Sequence, residues 1–372
     1  MGPIFSLSIH ADYKCRHSGV CCTSDWDVPA ELPVYRSLDE AIAAGQLVVP
    51  GVPADGGVVL MQEDLPDDAA AMVARTARGD CVFYHRDSGL CVVHRDLGDE
   101  TLPSTCRHFP RVAVRDQRGT FISLTHYCPT AASMLFRDDM PLDIVEAPAA
   151  FPPAAYDGLV VDPDAWPPLL HPQMLMDLEG YTAWERHMVR RCAHPVASPD
   201  SVLATLKRDA HVLRTYTPGL QSLVDAIGSL PHEMVEAEPA RSLSSSLELR
   251  AGVVGAVPDD LRPEPDEHLL PAAFEQQVAP GWHAWRMPLN RYLAAKAFAS
   301  WTAYQGRGVL TIVRGLEAAL GLVRVEAARQ CRDQARPLDA DLLREAIRRA
   351  DFLLNHLAVG EDPADGWSKA ED

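Results

Sequence analysis

The stretch Lys14-Cys-Arg-His-Ser-Gly-Val-Cys-Cys-Thr-Ser-Asp-Trp-Asp-Val28 holds three cysteines within eight residues, and two of these cysteines are adjacent. Seven of the nine cysteines lie between residues 15 and 128: Cys15, Cys21, Cys22, Cys81, Cys91, Cys106 and Cys128. The chain has 372 residues, 47% of them apolar, so it can bury a large core without disulfide bonds. Clustered cysteines in such a chain are typical of a metal centre. The sequence therefore predicts that these seven thiols are metal ligands.

The other two cysteines, Cys192 and Cys331, each lie alone in a segment with helical spacing of apolar residues. An isolated cysteine in this setting usually behaves as a small apolar residue. We predict that both are buried in the core and bind no metal.

The spacing of the clustered cysteines bears on which metal they bind. Thiolates select zinc, copper(I) or iron–sulfur clusters. Cys15-x5-Cys21 followed at once by Cys22 is unlike the paired C-x2–4-C knuckles of zinc sites, and the C-x2-C-x2-C-x3-C run of bacterial ferredoxins is also missing. A cluster with ligands from distant loops, or two metal centres sharing the seven thiols, fits better. Nearby histidines that could complete a site, although each is more often an ordinary surface residue, are His17, His85, His94, His108 and His126.

Charge and hydropathy narrow the classes of partner. Thirty-four Lys and Arg stand against fifty-two Asp and Glu, and the net charge of −18 would repel a nucleic-acid backbone. It favours a cationic partner such as a lysine-bearing protein, although an acidic surface also serves solubility alone. No window reaches the ~18 apolar residues of a membrane span, and the start lacks a secretory signal pattern. We therefore expect a cytoplasmic protein with no nucleic-acid or membrane partner.

Sequence patterns predict a mainly α fold in which a cysteine-rich metal-binding domain, residues 1–140, precedes a helical bundle at 174–360. In the first domain, residues 81–94 alternate around Asp-Ser-Gly as a hairpin, and 112–116 with 120–125 form a second pair of strands. Proline density across 141–173 predicts an extended connector, because proline is excluded from helix interiors and central strands. Residues 361–372 are predicted to be a frayed tail.

Apolar residues recur at spacings of three and four through the second half, which is typical of helices with one buried face. Leu178, Tyr181, Trp184, Met188 and Cys192 share such a face. Further helices are predicted at 201–213, 290–304, 309–328 and 338–357, the last with Asp339 as its N-cap. Residues 228–280 are predicted to be loops with short helices.

Four ordered phrases carry a resemblance to a known family. They are Cys15-x5-Cys21-Cys22 with Trp26, Cys81-Val-Phe-x5-Gly-Leu-Cys91, Leu97-Gly-x3-Leu-Pro-x2-Cys106-Arg-x-Phe-Pro-Arg111, and Ser123-Leu-Thr-x2-Cys128-Pro-x-Ala-Ala. Together they resemble the YkgJ-type cysteine cluster, and more narrowly the flagellin lysine-N-methylase (FliB) family. The resemblance is strong over residues 15–132 and loose through the helical half, where Arg349-Ala-Asp-Phe-Leu-Leu-Asn-His356 is similar to the closing helix of that family.

The resemblance implies an S-adenosylmethionine-dependent protein lysine N-methyltransferase with a [4Fe-4S] cluster and a flagellin-like, lysine-bearing substrate. The broader class is described only as zinc- or iron-chelating. A Rossmann-type methyltransferase is unlike this sequence, because Gly51-x4-Gly56-Gly57 is followed by a β-like Val-Val-Leu-Met rather than by a helix. The S-adenosylmethionine site is therefore expected to be of another kind.

Chemistry suggests roles for several residues near the cysteines. Arg107 is expected to bind the cofactor region by donating to a cluster sulfur, a thiolate or a nearby carbonyl, with a surface salt bridge as the alternative. Trp26 and Phe109 are expected to cover the cluster against water. Asp25 or Asp27 is a candidate to assist deprotonation of a substrate lysine.

Two other functions compete with the methyltransferase. One is a non-catalytic zinc- or iron-binding protein whose helical half is an interaction module, and the other is a metal-dependent enzyme that modifies a different peptide. The sequence leaves the oligomeric state open.

Overall fold

The structure is a computed structural model. It describes residues 2–24, 26–50, 60–61, 65, 69–154, 156–259, 262, 267–305 and 308–357. About half of the chain is helical and the sheets are small, which confirms the mainly α prediction. The frayed tail predicted at 361–372, and the glycines of Gly51-x4-Gly56-Gly57, lie outside the described residues.

The helices concentrate in the second half of the chain. Their bounds are α1 Leu32–Ala43, α2 Val92–Leu97, α3 Ser104–His108, α4 Pro129–Met134, α5 Leu178–Cys192, α6 Pro199–Leu213, α7 Leu223–Gly228, α8 Ser244–Gly255, α9 Leu270–Ala273, α10 Arg286–Ala297, α11 Thr302–Gln305, α12 Val309–Gln334 and α13 Ala340–Phe352. A π-helical turn at Leu353–Leu357 extends α13. No helix of the described residues combines the length and the apolar character needed to cross a membrane.

The strands are short. Their bounds are β1 Ile4–Leu7, β2 Pro29–Ala30, β3 Leu60–Met61, β4 Ala71–Val73, β5 Tyr84–His85, β6 Leu90–Cys91, β7 Arg111–Asp116, β8 Gly119–Leu124, β9 Ile144–Glu146, β10 Leu159–Val160, β11 Leu169–His171 and β12 Met174–Leu175. They form one five-stranded sheet in the order β10-β7-β8-β1-β9, a three-stranded sheet β2-β4-β3, and the pairs β5-β6 and β11-β12.

The chain divides into two compact units. Unit 1 contains residues 1–13, 112–127 and 131–372, and unit 2 contains residues 14–111 and 128–130. These bounds differ from the predicted boundary at 140, because β1 pairs in parallel with β8 and antiparallel with β9. The N-terminal strand thus joins the sheet of unit 1, whereas six of the seven clustered cysteines lie between residues 14 and 111 and the seventh is Cys128.

Unit 1 is organised around α12, which is buried along nearly its whole length and contacts α6, α8, α10 and α13. On α5, four of the five residues of the predicted face are buried, since Tyr181, Trp184, Met188 and Cys192 are at most 2% exposed, whereas Leu178 at the start of the helix is partly buried. Cys331 on α12 is fully buried, so the prediction that both isolated cysteines are core residues is confirmed.

Caps and breaks account for where the helices end. The Asp339 side chain accepts hydrogen bonds from the backbone of Asp341 and Leu342, as predicted for the N-cap of α13. The single helix predicted at 290–304 is wrong, because α10 ends at Ala297 and α11 begins only at Thr302. Ala299 between them has a φ of 54°, which leaves helical geometry, and its N–H donates to Glu185 on α5 at 3.2 Å.

Proline excludes helix from the predicted connector, since none of the described residues between 141 and 173 is helical. The strands β9 and β10 within it occupy the two edges of the five-stranded sheet, where proline-rich segments are tolerated. The hairpin predicted at 81–94 is confirmed as β5 and β6, but its second strand is shorter than predicted, because the chain turns into α2 directly after Cys91.

Candidate functional site

Unit 2 brings five of the seven predicted cysteines together. The sulfurs of Cys21 and Cys22 are 3.9 Å apart, and Cys22 also shares a hydrogen bond with Cys91. Cys81 and Cys106 complete the set, since the charges of Cys21 and Cys91 act on both thiols. These five residues are called the five-thiol group below. They pack with the small core of unit 2 formed around Leu38, Phe83 and Val93.

Cys21 and Cys22 are positioned by a short 3₁₀ turn, Val20–Cys22. Gly19 precedes it with a φ of 73°, and its carbonyl accepts from the Cys22 N–H at 2.9 Å. A Cβ added at Gly19 would lie 2.7 Å from the ring of Tyr84. Only glycine combines this positive φ with so close an approach, so the turn that carries two thiols depends on Gly19.

The hairpin β5-β6 delivers two more thiols. The Cys81 N–H donates to the Cys22 carbonyl at 2.8 Å, which ties the hairpin to the 3₁₀ turn. Cys91 ends β6 and is also the N-cap residue of α2, where the backbone N–H groups of Val93 and His94 help to lower the pKa of its thiol. A helix start provides free N–H donors of this kind, so it favours a thiolate at Cys91.

The fifth thiol, Cys106, lies on α3. The carboxylate of Glu31 accepts from the Ser104 N–H at 3.1 Å, although Glu31 lies 73 residues earlier in the chain. Glu31 therefore caps the first turn of α3 and fixes where Cys106 lies. Sequence reasoning missed Glu31, because its partner is set by tertiary structure and no local pattern marks it.

Burial and mutual contact shift the thiol pKa values in opposite directions. The hydrogen bond from Cys22 lowers the pKa of Cys91 to about 7 and also lowers the pKa of Cys21. The pKa of Cys22 is raised by the same two hydrogen bonds and by burial. Burial raises the pKa of Cys81 to about 12 and holds that of Cys106 well above its usual value. Cys21 and Cys91 are thus the members that ionise most readily.

The other two predicted ligands are Cys15 and Cys128. Cys15 is exposed, and its sulfur accepts from the His17 N–H at 3.4 Å. Cys128 is buried and belongs to unit 2. Five of the seven predicted ligands thus form the five-thiol group, Cys128 lies in the same unit, and Cys15 is exposed.

The histidines near the cysteines have other partners. The rings of His17 and His94 lie 5.1 Å apart, and His85 accepts from Ser88 within the hairpin turn at 3.0 Å. His126 is buried in unit 1. Among the described residues, no set of three or more His, Cys, Asp or Glu side chains is grouped closely enough to hold a single metal ion.

The predicted covering aromatics pack against each other. The rings of Trp26 and Phe109 lie 5.3 Å apart in an edge-to-face arrangement, and Trp26 packs on the core that includes the five-thiol group. The Arg107 side chain is exposed and makes no hydrogen bond or ion pair with a described residue. Asp27 is exposed, and Asp25 lies outside the described residues.

A second polar cluster, which sequence reasoning missed, lies buried in unit 1. Asp351 on α13 is fully buried and forms an ion pair with Lys296 on α10. It also accepts from Tyr292 Oη at 3.0 Å, from Thr125 Oγ1 at 2.9 Å and from the His126 N–H. These five residues are called the Asp351 group. An aspartate in the middle of an apolar helical face was the available sequence signal.

Two histidines extend the Asp351 group. His126 Nε2 lies 3.3 Å from His10 Nε2, and both rings are completely buried. Burial would raise the pKa of Asp351, but the Lys296 and His126 charges and their hydrogen bonds lower it to about 2. Burial lowers the pKa of His126 to about 3 and that of His10 well below 6.5. The cluster therefore holds one ion pair beside two neutral histidines at neutral pH.

No protein-family model, no curated protein and no solved structure matches this chain. The resemblance to the lysine-N-methylase family rests on the four cysteine-bearing phrases and, more loosely, on the segment from Arg349 to His356.

Proposed function

We propose that the chain is an iron–sulfur, S-adenosylmethionine-dependent protein lysine N-methyltransferase, built from a cysteine-rich metal-binding region followed by a helical bundle. The observation that carries this proposal is the five-thiol group. Its members come from three separate parts of unit 2, the 3₁₀ turn, the hairpin and α3, and soft thiolate donors of this kind select zinc, copper(I) or iron–sulfur centres. The family phrases supply the methyl-transfer part of the proposal.

The spread of the thiols favours a cluster over a single ion. Each thiolate of a [4Fe-4S] cluster binds a different iron, so the sulfurs need not converge on one point. That fits a chain in which five thiols are neighbours while the described residues offer no three-donor site for one ion. Cys21, Cys22, Cys81, Cys91 and Cys106 are the residues that would hold the cluster, with Cys15 and Cys128 as further candidates. When bound, the cluster would bind or activate S-adenosylmethionine.

The proposed substrate is a lysine-bearing, flagellin-like protein in the cytoplasm. The net charge of −18 favours encounter with a cationic partner and disfavours nucleic acid. A lysine amine must lose a proton before methylation, and the exposed carboxylate of Asp27, five residues after Cys22, is a candidate acceptor.

One distance favours a second candidate, a zinc protein without catalytic activity. The 3.9 Å between the Cys21 and Cys22 sulfurs is close to the ~3.8 Å expected for two thiolates on one tetrahedral zinc with ~2.3 Å bonds. Adjacent residues seldom share one ion, and here the 3₁₀ turn brings their sulfurs near each other. The two candidates differ in metal content and in binding of S-adenosylmethionine.

Metal analysis after anaerobic purification separates the two candidates. The cluster predicts iron and acid-labile sulfide in equal amounts, with a broad absorption band near ~400 nm that fades on reduction. Stoichiometric zinc without sulfide would rule out the cluster.

Two cysteine variants test the assignment of ligands. We expect Cys106→Ser to lose metal and to destabilise unit 2, because it removes a proposed ligand. Cys331→Ser, whose parent thiol is buried in unit 1, should keep full metal content. Equal metal retention in the two variants would contradict the ligand assignment.

Methyl transfer is tested with the metal-loaded full chain. Calorimetric titration should detect S-adenosylmethionine binding, and a radiolabelled methyl group should transfer to a lysine-bearing flagellin. Binding of metal without binding of S-adenosylmethionine would remove the methyltransferase and leave the zinc or iron protein.

A further inference from the structure

Unit 1 contains a cavity of about 250 Å³ at the end of α5. One wall comes from the last turn of α5 and the residues that follow it, and the other comes from the end of α7 and the chain after it. The ionisable side chains that line it are all arginine or histidine: His187, Arg190, Arg191, His194 and His232. No carboxylate of the described residues lines the cavity, although the chain has eighteen more acidic than basic residues.

The acidic residue that lies behind the α5 wall does not balance the positive charge of the arginines. Asp209 on α6 is fully buried and accepts from His187 Nε2 at 2.8 Å, from Arg191 Nε at 3.1 Å and from Arg208 at 2.6 Å. One carboxylate thus faces two guanidinium groups. Arg190 adds a third arginine, so the buried carboxylate of Asp209 does not by itself balance the guanidinium groups of Arg190, Arg191 and Arg208.

Structural contacts explain the presence of Arg191 but not that of Arg190. Arg191 Nη1 donates to the His232 carbonyl at 2.8 Å and Nη2 donates to the Pro231 carbonyl, which fixes the second wall. Arg190 makes no hydrogen bond or ion pair with a described residue, and its side chain is exposed at the cavity. The carbonyls at the ends of α5 and α7 attract cations, but one such contact contributes only about 0.3–1 kcal/mol and needs no cavity.

His194 is oriented as a donor. Its Nδ1 accepts from the Ala197 N–H at 3.2 Å, which places the ring proton of the neutral side chain on Nε2. The His194 Nε2–H and the Arg190 guanidinium line the cavity and make no hydrogen bond with a described residue, whereas the Arg191 guanidinium is already held by Asp209, Pro231, His232 and Met234. Apolar residues, Ile227, Leu230 and Met234, form the rest of the lining. Fixed donors in a partly apolar recess strengthen hydrogen bonds to an anion.

We propose that this cavity binds the phosphate group of inorganic phosphate or of a small phosphomonoester. Its size favours a small ligand, since drug-sized ligands occupy about 300–1,000 Å³ and this cavity is smaller. The site is independent of the proposed methyltransferase, because it uses no cysteine and lies in the helical part of unit 1.

The test is calorimetric titration of the full chain at constant ionic strength with inorganic phosphate, glycerol 3-phosphate and, as a monovalent control, acetate. The variant Arg190→Gln/His194→Gln removes two proposed donors. Arg186→Gln is the matched control, because Arg186 is an exposed arginine on α5 that does not line the cavity. We expect saturable phosphate binding that weakens about 10- to 100-fold in the double variant and less than 2-fold in Arg186→Gln.

The two phosphate arms distinguish the source of the ligand. Tighter binding of glycerol 3-phosphate than of inorganic phosphate identifies a monoester site, and the reverse identifies a site for the free ion. Metabolite sites are typically saturated at roughly 1 mM ligand. Absence of saturable binding at 10-fold more phosphate than this level overturns the proposal. Equal weakening in Arg186→Gln also overturns it, because binding would then follow general charge.

Discussion

The five-thiol group of unit 2 and the Asp351 group of unit 1 are both buried and polar, but their polar atoms have different kinds of partners. Asp351 receives a cation and three hydrogen-bond donors from its own chain, including Lys296 and Tyr292. The thiols have mainly one another, as the contacts of Cys22 with Cys21 and Cys91 show. Burying a polar group without partners costs free energy, so the Asp351 group, whose partners all come from the chain itself, needs no ligand. The thiols make only weak contacts with one another, so the five-thiol group is the better candidate for binding a metal.

The largest expected effect comes from opening the Asp351 group. Asp351→Asn leaves the Lys296 charge buried without its counterion, and breaking a buried pair in this way costs about 3–5 kcal/mol. Asp341→Asn on the same helix removes an exposed pair with Arg344 and should cost less than about 1 kcal/mol. Urea unfolding of both variants measures the difference. Equal losses of unfolding free energy in the two variants would mean that burial does not increase the contribution of the Asp351 group to stability.

The next effect concerns the turn that carries Cys21 and Cys22. Gly19→Ala forces the Tyr84 ring to move and strains a φ of 73°, so we expect a loss of about 2 kcal/mol. Gly45→Ala has a similar φ of 69° with nothing within 4 Å of the new Cβ, and about 1 kcal/mol is expected. Metal content of both purified variants should fall only in Gly19→Ala. Loss of metal in both would show that metal retention follows the general stability of the protein and not the contact between Gly19 and Tyr84.

Two histidines beside the Asp351 group, the buried His10 and the partly buried His356, predict that stability depends on pH. Burial holds the pKa of His10 well below 6.5 and lowers that of His356 to about 4. The unfolded chain therefore binds more protons as pH falls below about 6.5, and stability falls with it by up to ~1.4 kcal/mol per pH unit for each histidine. His10→Asn should remove one such contribution between pH 6.5 and 5, whereas His211→Asn, at an exposed site on α6, should not. Unfolding series at several pH values measure the slopes, and an unchanged slope in His10→Asn would contradict the prediction.

The smallest effect concerns the cap that positions Cys106. Glu31→Gln weakens the hydrogen bond from the Ser104 N–H, and loss of such a cap typically costs ~1 kcal/mol. Glu40→Gln, at an exposed position of α1, should change stability by less than half of that. Chemical denaturation that follows Trp26 fluorescence reports on this unit. An effect of Glu40→Gln as large as that of Glu31→Gln would show that the cap contributes nothing particular.

Local patterns predicted the elements that local chemistry decides. The spacing from Leu178 to Cys192 predicted α5, and Asp339 predicted the start of α13. The same reasoning failed at Ala299, where a side chain from α5 accepts the backbone N–H and helps to end α10. The periodicity of apolar residues gives no information about a hydrogen-bond partner that lies far away in the sequence.

The candidate site shows the same limit. The sequence placed seven cysteines in one set, and the structure brings five of them together. It could not separate Cys15 from the others, because exposure depends on how the chain between residues 15 and 21 folds back. Gly19 and Glu31 were invisible for the same reason, since their partners Tyr84 and Ser104 lie more than sixty residues away.

The pairing of β1 with β8 has a consequence for the order of events during synthesis. Ile4 lies beside Thr120, and almost all residues of unit 2 lie between these two residues in the sequence. At ~5–20 residues per second, the first strand waits on the order of ten seconds for its partner to leave the ribosome. Residues 14–111 are complete before that moment. The cysteine-bearing segment can therefore fold while the sheet that flanks it in the chain is still unfinished.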